Sequence, residues 1–237
     1  MKRLHYLFYV VLGTLFLTSC LKDPDGPTPS YRYGGMIFIN AYPEAHGVYF
    51  RIDEKTVQFP TTDYIIPYKS IGPLVGLYSG SRQFEVFSEN FGSKTPIIDT
   101  SITVTDSTYY SSIVYGDKES PKYLLATDTE LKDLDQGSGI RFFNLANELD
   151  EATLLLDNKA VEAFTDRAQE SDSTLTIAEK FQALSSGGQT LTAKDKEGNE
   201  IAKRENFQFQ KGRYYSIILI GSKSNADTPY YIGIVPH

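Results

Sequence analysis

Three histidines and one cysteine are all that this 237-residue chain offers for imidazole or thiol chemistry. His5 lies in an apolar leader and His237 is the last residue, so His46, beside Gly47 at a turn, is the one histidine inside the body. A Ser-His-Asp hydrolase would have to be built on it, and no Gly-x-Ser-x-Gly elbow accompanies it. Zinc sites of the His or Cys type need more ligands than this count supplies, so no metal and no cofactor is expected. Thirty Asp and Glu residues could include the facing pair that a glycosidase uses, but they collect in polar segments between the apolar ones. Asp133-Leu134-Asp135-Gln136-Gly137 begins like a calcium loop yet lacks the Glu that closes one. Gly34-Gly35 and Gly187-Gly188 read as turn glycines, neither of them in a phosphate loop between strand and helix. No catalytic residue is expected, and the chain does not read as an enzyme.

Cys20 has a chemistry of its own. Lys2 and Arg3 precede an apolar run from Tyr6 to Leu17, the pattern of an export signal and too short to span a bilayer. The run ends Leu17-Thr18-Ser19-Cys20, which resembles the bacterial lipobox. Where that motif operates, the signal is cut before the cysteine and its thiol receives a diacylglycerol; two or three acyl chains then hold a protein stably at the membrane. Loss of Lys2 and Arg3 leaves 21 basic against 30 acidic residues, a formal charge of −9. Such a chain lacks the clustered Lys and Arg that neutralise phosphates, so no nucleic-acid partner is expected. Leu21 to Tyr33 carries three prolines and no apolar period, as a stiff stalk does. Its Lys22-Asp23-Pro24-Asp25 resembles the short charged signals that send lipoproteins of the Bacteroidetes to the cell surface. The expected location is the outer membrane, anchored by lipid on Cys20 and exposed at the cell surface.

The body behind these residues must be built of strands. Seventeen Tyr and 14 Phe with no Trp suit pleated, half-buried surfaces. Tyr109-Tyr110-Ser111-Ser112-Ile113-Val114-Tyr115-Gly116 returns as Tyr214-Tyr215-Ser216-Ile217-Ile218-Leu219-Ile220-Gly221, and other features repeat in the same order. Met36 to Ala41 answers Ile140 to Leu145. Val48, Phe50 and Ile52 alternate as Ala152, Leu154 and Leu156 do, each set followed by an Asp-x-Lys turn whose Asp can bond its own backbone. Gly80, Phe84 and Val86 answer Gly187, Leu191 and Ala193, with hairpin glycines at Gly92 and Gly198. Ile102 and Val104 answer Phe207 and Phe209, and Pro121-Lys122-Tyr123-Leu124 answers Pro229-Tyr230-Tyr231-Ile232.

The expected fold is all-β: two tandem immunoglobulin-like antiparallel β-sandwich domains of about seven strands each. The boundaries are a lipoprotein signal peptide at 1–19, lipidated Cys and stalk at 20–35, a first sandwich at 36–126, an acidic linker at 127–139 and a second sandwich at 140–237. The second carries a polar insertion at 162–180, in which Leu175, Ile177, Ala178 and Phe181 predict one short helix. The twin tyrosines are assigned to core or sheet-face packing.

Phe-x-Asn-Ala before a strand ending in Asp, then Gly with alternating apolar residues, then Tyr-Tyr before a strand ending in Gly, resembles the bacterial envelope domain of unknown function numbered 4397. Many Bacteroidetes lipoproteins carry that domain in tandem. The resemblance covers Met36 to Leu125 and Ile140 to Val235; Asn40-Ala41-Tyr42-Pro43 keeps part of the family's opening pattern, and Asn144-Leu145-Ala146-Asn147 keeps less. It implies an immunoglobulin-like sandwich outside the cytoplasm and no activity, and no functional residue is carried over.

What remains is a lipid-anchored, non-catalytic binding or adhesion module for an extracellular protein or glycan. The alternative is a structural subunit or anchor of a surface assembly such as a fimbria. A binding surface is expected at Tyr64, Tyr68 and Tyr78, since tyrosine presents a flat amphipathic ring, and where the two repeats differ. The lipobox reading is checked by Cys20→Ala, which should abolish acyl labelling and membrane retention; unchanged retention would sink it.

Overall fold

The computed structural model describes residues 32–59, 64–89, 95–134 and 136–237. The signal at 1–19, Cys20, the stalk as far as Tyr31, the turn glycine Gly92 and Asp135 of the calcium-like run lie outside the described residues.

The first half contains β1 (Tyr33–Asn40), β2 (Gly47–Ile52), β3 (Lys55–Thr56), β4 (Ile66–Pro67), β5 (Val75–Tyr78), β6 (Gly80–Ser88), β7 (Ile98–Val104), β8 (Tyr109–Gly116) and β9 (Pro121–Thr127). The second contains β10 (Gly137–Asn144), β11 (Glu151–Leu156), β12 (Lys159–Ala160), β13 (Arg167–Ala168), β14 (Gln182–Ser185), β15 (Gly187–Lys194), β16 (Glu200–Phe209), β17 (Tyr214–Ile220) and β18 (Tyr231–Pro236). Two-residue pieces apart, seven strands stand in each half among the described residues. The first half forms sheets β5-β1-β8-β9 and β3-β2-β6-β7, and the second repeats the path as β14-β10-β17-β18 and β12-β11-β15-β16. The fold is all-β and sandwich-like. One pairing in each half departs from an antiparallel plan, since β1 runs parallel to β8 and β10 parallel to β17.

Local chemistry repeats with the path. Val48, Phe50 and Ile52 on β2, like Ala152, Leu154 and Leu156 on β11, are buried while Tyr49, Arg51, Thr153 and Leu155 between them are not, as a strand with one core face requires. Asp53 and Glu54, and likewise Asp157 and Asn158, have positive φ, the pattern of a type I′ hairpin. Their Asp carboxylates do not bond the backbone of their own turn, which is the role expected from the sequence. They accept N–H groups from the neighbouring strand or its bend, Gln83 at 3.1 Å and Thr190 at 2.8 Å, which serves a donor that the twisted ladder leaves over. Asn40 and Asn144 close β1 and β10 alike: each side-chain amide donates to the crossing segment, at Ile66 or Arg167, and each carbonyl accepts an N–H two residues on. Tyr110 and Tyr215 each accept, through the phenol oxygen, the backbone N–H five residues upstream at 3.0 Å, much as the tyrosine corner of immunoglobulin-like sandwiches does. Gly34 and Gly35 lie within β1, and Gly187 and Gly188 open β15. They are strand residues, not the turn glycines expected.

Each sandwich has its own core, one around Phe38, Phe50 and Phe84 and the other around Phe142, Leu154 and Leu191. A third core joins them. Ile39, Ala41, Ile113, Tyr115, Leu124 and Ala126 from the first half pack with Phe143, Leu145, Ile218, Ile220 and Val235 from the second. The sheet β5-β1-β8-β9 therefore lies against β14-β10-β17-β18, and four sheets stack in layers. This explains why β8, β10 and β17 are buried at almost every position. A strand covered on both faces loses its polar alternation.

The insertion at 162–180 is a clasp across this joint. Its helix, α1 (Asp172–Ala178), begins at Ser171, whose N–H donates to Thr174 Oγ1 at 2.9 Å. Leu175 and Ala178 enter the third core. From the first half, Tyr115 Oη donates to Glu170 O at 2.6 Å and Thr127 N to Glu179 Oε2 at 2.9 Å. Phe181 lies beyond the end of the expected helix. The acidic segment after β9 is held as well, with Asp128 N donating to Tyr109 O and Leu131 N to Tyr214 Oη, both at 2.8 Å.

One charged side chain sits in the middle of the joint. Arg141 is fully buried, with its guanidinium 4.4 Å from the Phe181 ring centroid and 5.0 Å from that of Phe143. Nε donates to Ser216 Oγ at 2.7 Å, and Nη1 to Thr127 O and Glu179 O at 3.1 Å each. Nη2 donates to Ser111 Oγ at 2.9 Å and to Asp128 Oδ1 at 2.5 Å. All five donors of the group are used. Burying an ion costs several kcal/mol even after relaxation, whereas each fully buried Ile contributes about 1.5–3 kcal/mol. Ile39, Ile113, Ile218 and Ile220 thus offset that cost, and the charge fixes how the sheets sit. Arg141→Leu, which takes the guanidinium from Asp128 and leaves it facing His237 alone, should lower stability in urea unfolding by about 3–5 kcal/mol. Arg141→Leu with Asp128→Leu should recover part of it, and a loss below about 1 kcal/mol for the single variant would contradict this role.

Candidate functional site

Side chains on the joint face of β8 and β17 change character along the strands. Ile113 and Ile218 are apolar and buried, and Ser111 and Ser216 one step on are polar and buried. One further step brings Tyr109 and Tyr214, which line a cleft of about 770 Å³. Its walls add Ile71 and Leu74 from the segment before β5, and Phe181 and His237 from the second half.

The two tyrosines are placed by glycine. Gly35 pairs with Tyr109 and Gly139 with Tyr214 in the parallel ladders. A Cβ on Gly35 would stand 2.5 Å from the Tyr109 ring, and one on Gly139 would stand 2.2 Å from the Tyr214 ring. Each ring therefore lies against the neighbouring backbone where any other residue would lift it away. Tyr109 stays 55% exposed, which makes it a fixed aromatic surface open to a ligand. Tyr214 is tied further, its Oη accepting Leu131 N–H and donating to Leu131 O at 3.3 Å. Phe181 meets the Tyr214 ring edge to face at 5.0 Å and the His237 ring at 5.6 Å.

The floor of the cleft is polar. His237 Nε2 and Ser216 Oγ share a hydrogen bond of 2.8 Å, and His237 Nδ1 lies 3.5 Å from Asp128 Oδ2. Burial pushes the Asp128 carboxyl up, but the hydrogen bond from His237 and the charge of Arg141 outweigh it and hold the group below its ordinary range. Ser216, His237 and Asp128 follow the connectivity of a nucleophile, base and orienting acid. They cannot act as one here. Ser216 is fully buried and its oxygen already accepts Arg141 Nε–H, so no substrate carbon reaches it. Among the described residues, no group of three or more His, Cys, Asp or Glu side chains is placed to hold a metal. A second hollow of about 460 Å³ beside Glu148 and Asp195 is acidic, but the Glu148 carboxylate is already taken by Ser222 and Ser224.

The tyrosines expected to bind do not form one surface. Tyr78 pairs with Tyr33, their rings 4.7 Å apart, at the start of β1. Tyr68 precedes Lys69, whose N–H donates to Asn40 O at the other end of that strand, roughly 23 Å away at the rise of a strand. Tyr64 meets the Tyr49 ring on the sheet of β2. Loop residues with similar spacing were separated by the strand they flank. Tyr68 is also half-buried, and burial, with Glu44 adding to it, raises its phenol pKa. His46 is exposed at the turn before β2. The residues missed were Tyr109, Tyr214, Phe181 and His237. A signal for the first two was present, because adjacent strand residues face opposite sides. Of each Tyr-Tyr pair, only one can enter its own sandwich.

A family model described as a domain of unknown function, DUF4397, matches residues 35–153, the first sandwich together with β10 and the start of β11. No curated protein matches the chain. Among solved structures it is similar to CBMbc (family CBM26) from Eubacterium rectale Amy13K in complex with maltoheptaose, with 8% identity, 86% of this chain and 96% of that chain covered, and a TM-score of 0.24. It is also similar to a protein from Parabacteroides distasonis assigned to cell adhesion, at 9% identity, with 88% and 99% covered and a TM-score of 0.23. At such TM-scores neither likeness bears on what this chain does.

The depressed Asp128 carboxyl makes the joint sensitive to acid. Its contribution is complete above the unfolded carboxylate pKa of about 3.9 and is lost as pH falls through the lower folded value. Asp128→Asn should reduce stability at neutral pH and flatten the unfolding curve below about pH 4; an acid transition identical to that of the parent chain would refute the assignment.

Proposed function

This chain belongs to the DUF4397 family, and from that premise we propose that it is a non-catalytic binding module of the cell envelope, anchored by lipid on Cys20. Its second sandwich is a second copy of the family domain, a reading supported by the repeated strand path and by the matched Asn, Asp and Tyr contacts. Its ligand is an extracellular protein or a glycan. The observation that carries this reading is the cleft at the joint, where Tyr109 is pinned over Gly35 and still exposed. A ring already fixed in place loses little entropy when a ligand stacks on it, which is the physical advantage of tyrosine in binding surfaces.

The lipobox at Leu17 to Cys20 and the acidic, proline-bearing stalk support attachment at the outer membrane with the body on the cell surface. The alternative, a subunit of a surface assembly that donates a strand to its neighbour, finds less support. β1 is paired on both sides and β18 pairs with β17 within the chain.

Pull-down of extracellular proteins and a glycan array, each with the parent chain and with Tyr109→Ala, test the proposal. Tyr109→Ala should weaken capture about tenfold or more, as loss of a central aromatic anchor does, with thermal unfolding unchanged. Tyr64→Ala and Tyr78→Ala should capture normally. Silence in both assays by a folded parent chain, or capture indifferent to Tyr109, would rule it out.

A further inference from the structure

An open sheet edge is a template for another strand, and most edges of this molecule are protected. β3 and β12 are two residues long and β5 and β14 four, too short to hold a partner. β9 begins at Pro121 and is tied to the clasp, where Lys122 Nζ donates to Gln169 Oε1 and Thr127 N to Glu179 Oε2. β18 ends at Pro236, and its Ile232 O accepts from Arg204. β16 carries Glu200, Lys203, Arg204 and Glu205 and breaks its register with β15 twice.

β7, the counterpart of β16 in the first sandwich, has none of these devices. It keeps unbroken register with β6 over seven residues, Ile98-Asp99-Thr100-Ser101-Ile102-Thr103-Val104, without proline, lysine or bulge. Its one charge, Asp99, accepts from Gln83 Nε2 on β6. Gln83 also shows which groups of β7 are open, because its own N–H and C=O both engage Asp53 on the β2 side. Backbone direction alternates along a strand, so Arg82, Phe84 and Val86 are the residues of β6 that bond β7, through their partners Ile102, Thr100 and Ile98. The N–H and C=O groups of Asp99, Ser101 and Thr103 point the other way. Among the described residues, no other backbone group meets them.

We propose that β7 is an interface for a second copy of this chain, the two β7 strands pairing antiparallel about Ser101. In that register Ser101 faces Ser101 and Asp99 faces Thr103, so every open N–H and C=O of one strand meets a counterpart on the other. The side chains agree with it. On the core side Ile98 comes opposite Val104 and Thr100 opposite Ile102, which carries the apolar face across the junction. On the outer side the two Asp99 carboxylates stand four strand residues apart, about 13 Å, where salt screens their repulsion. A patch that complements itself is what a two-fold axis requires. The sheet of β7 contributes nothing to the third core, so this pairing does not depend on the cleft or on what binds there.

Sedimentation of the chain over a concentration series, together with oxidation of cysteine variants, tests this. Mass should double with concentration. Ser101→Lys sets like charges opposite each other and should weaken the doubling about tenfold or more, with thermal unfolding unchanged because Ser101 is exposed. An equimolar mixture of Ser101→Lys and Ser101→Glu should restore it. On oxidation Ser101→Cys should cross-link to its own kind, as the roughly 5.5 Å between hydrogen-bonded partners allows. Asp99→Cys should do so at least about tenfold less, and the parent chain gives the background from Cys20. Tyr109→Ala should leave association unaltered, which separates it from the cleft. A chain that stays single at every concentration, even one that captures a foreign peptide, would overturn the proposal. So would doubling that Ser101→Lys leaves untouched, or equal cross-linking of Ser101→Cys and Asp99→Cys.

Discussion

A single guanidinium decides how the two halves of this protein meet. Arg141 can place all five of its donors only when β8 and β17 supply their serines, β9 ends at Thr127, Asp128 follows it, and the clasp brings Glu179 close. Those groups come from both sandwiches and from the segment between them. Apolar contacts alone would tolerate sliding, because isoleucine packs against isoleucine in many registers. A buried charge does not, since every displaced partner leaves a desolvated donor. Stability at the joint comes from the third core, and the arrangement comes from the charge.

The cleft follows from that arrangement. The sheets are locked at the level of Ser111 and Ser216, and the next side chains outward are the tyrosines that line the cleft. The glycines opposite them keep the rings down on the sheet, and the Asp128 and His237 groups that complete the polar belt form the floor. Cleft and joint are therefore one construction, so damage at the centre would be felt at the rim.

Much of the fold could be seen in the residues. Alternation in β2 and β11, the Asp hairpins and the Phe-x-Asn endings are local and depend on chain geometry alone. The third core was harder to read, although Ser216-Ile217-Ile218-Leu219-Ile220 has no polar alternation and Arg141 interrupts an apolar strand. Both are marks of a strand buried on two sides. Which face of one sandwich meets the other is a matter of tertiary packing, and no spacing along the chain records it. His237 and Phe181 join the cleft from remote positions, which is why a count of isolated histidines passed over the first and a helix pattern misplaced the second. Tyr64, Tyr68 and Tyr78 failed as a cluster because nearness in sequence across a loop does not fix a common side.

The third core has a further consequence, in symmetry. Both halves contribute the same face: Ile39 and Ala41 on one side stand where Phe143 and Leu145 stand on the other, and Ile113 and Tyr115 where Ile218 and Ile220 stand. An interface made of equivalent patches is what a two-fold dimer possesses. Here the two patches lie in one chain, and the equivalence is broken where Ile37 on β1 stands in the place of Arg141 on β10. A protein with only one such sandwich would carry the same apolar face without a built-in mate, and its simplest means of covering it would be a second copy of itself.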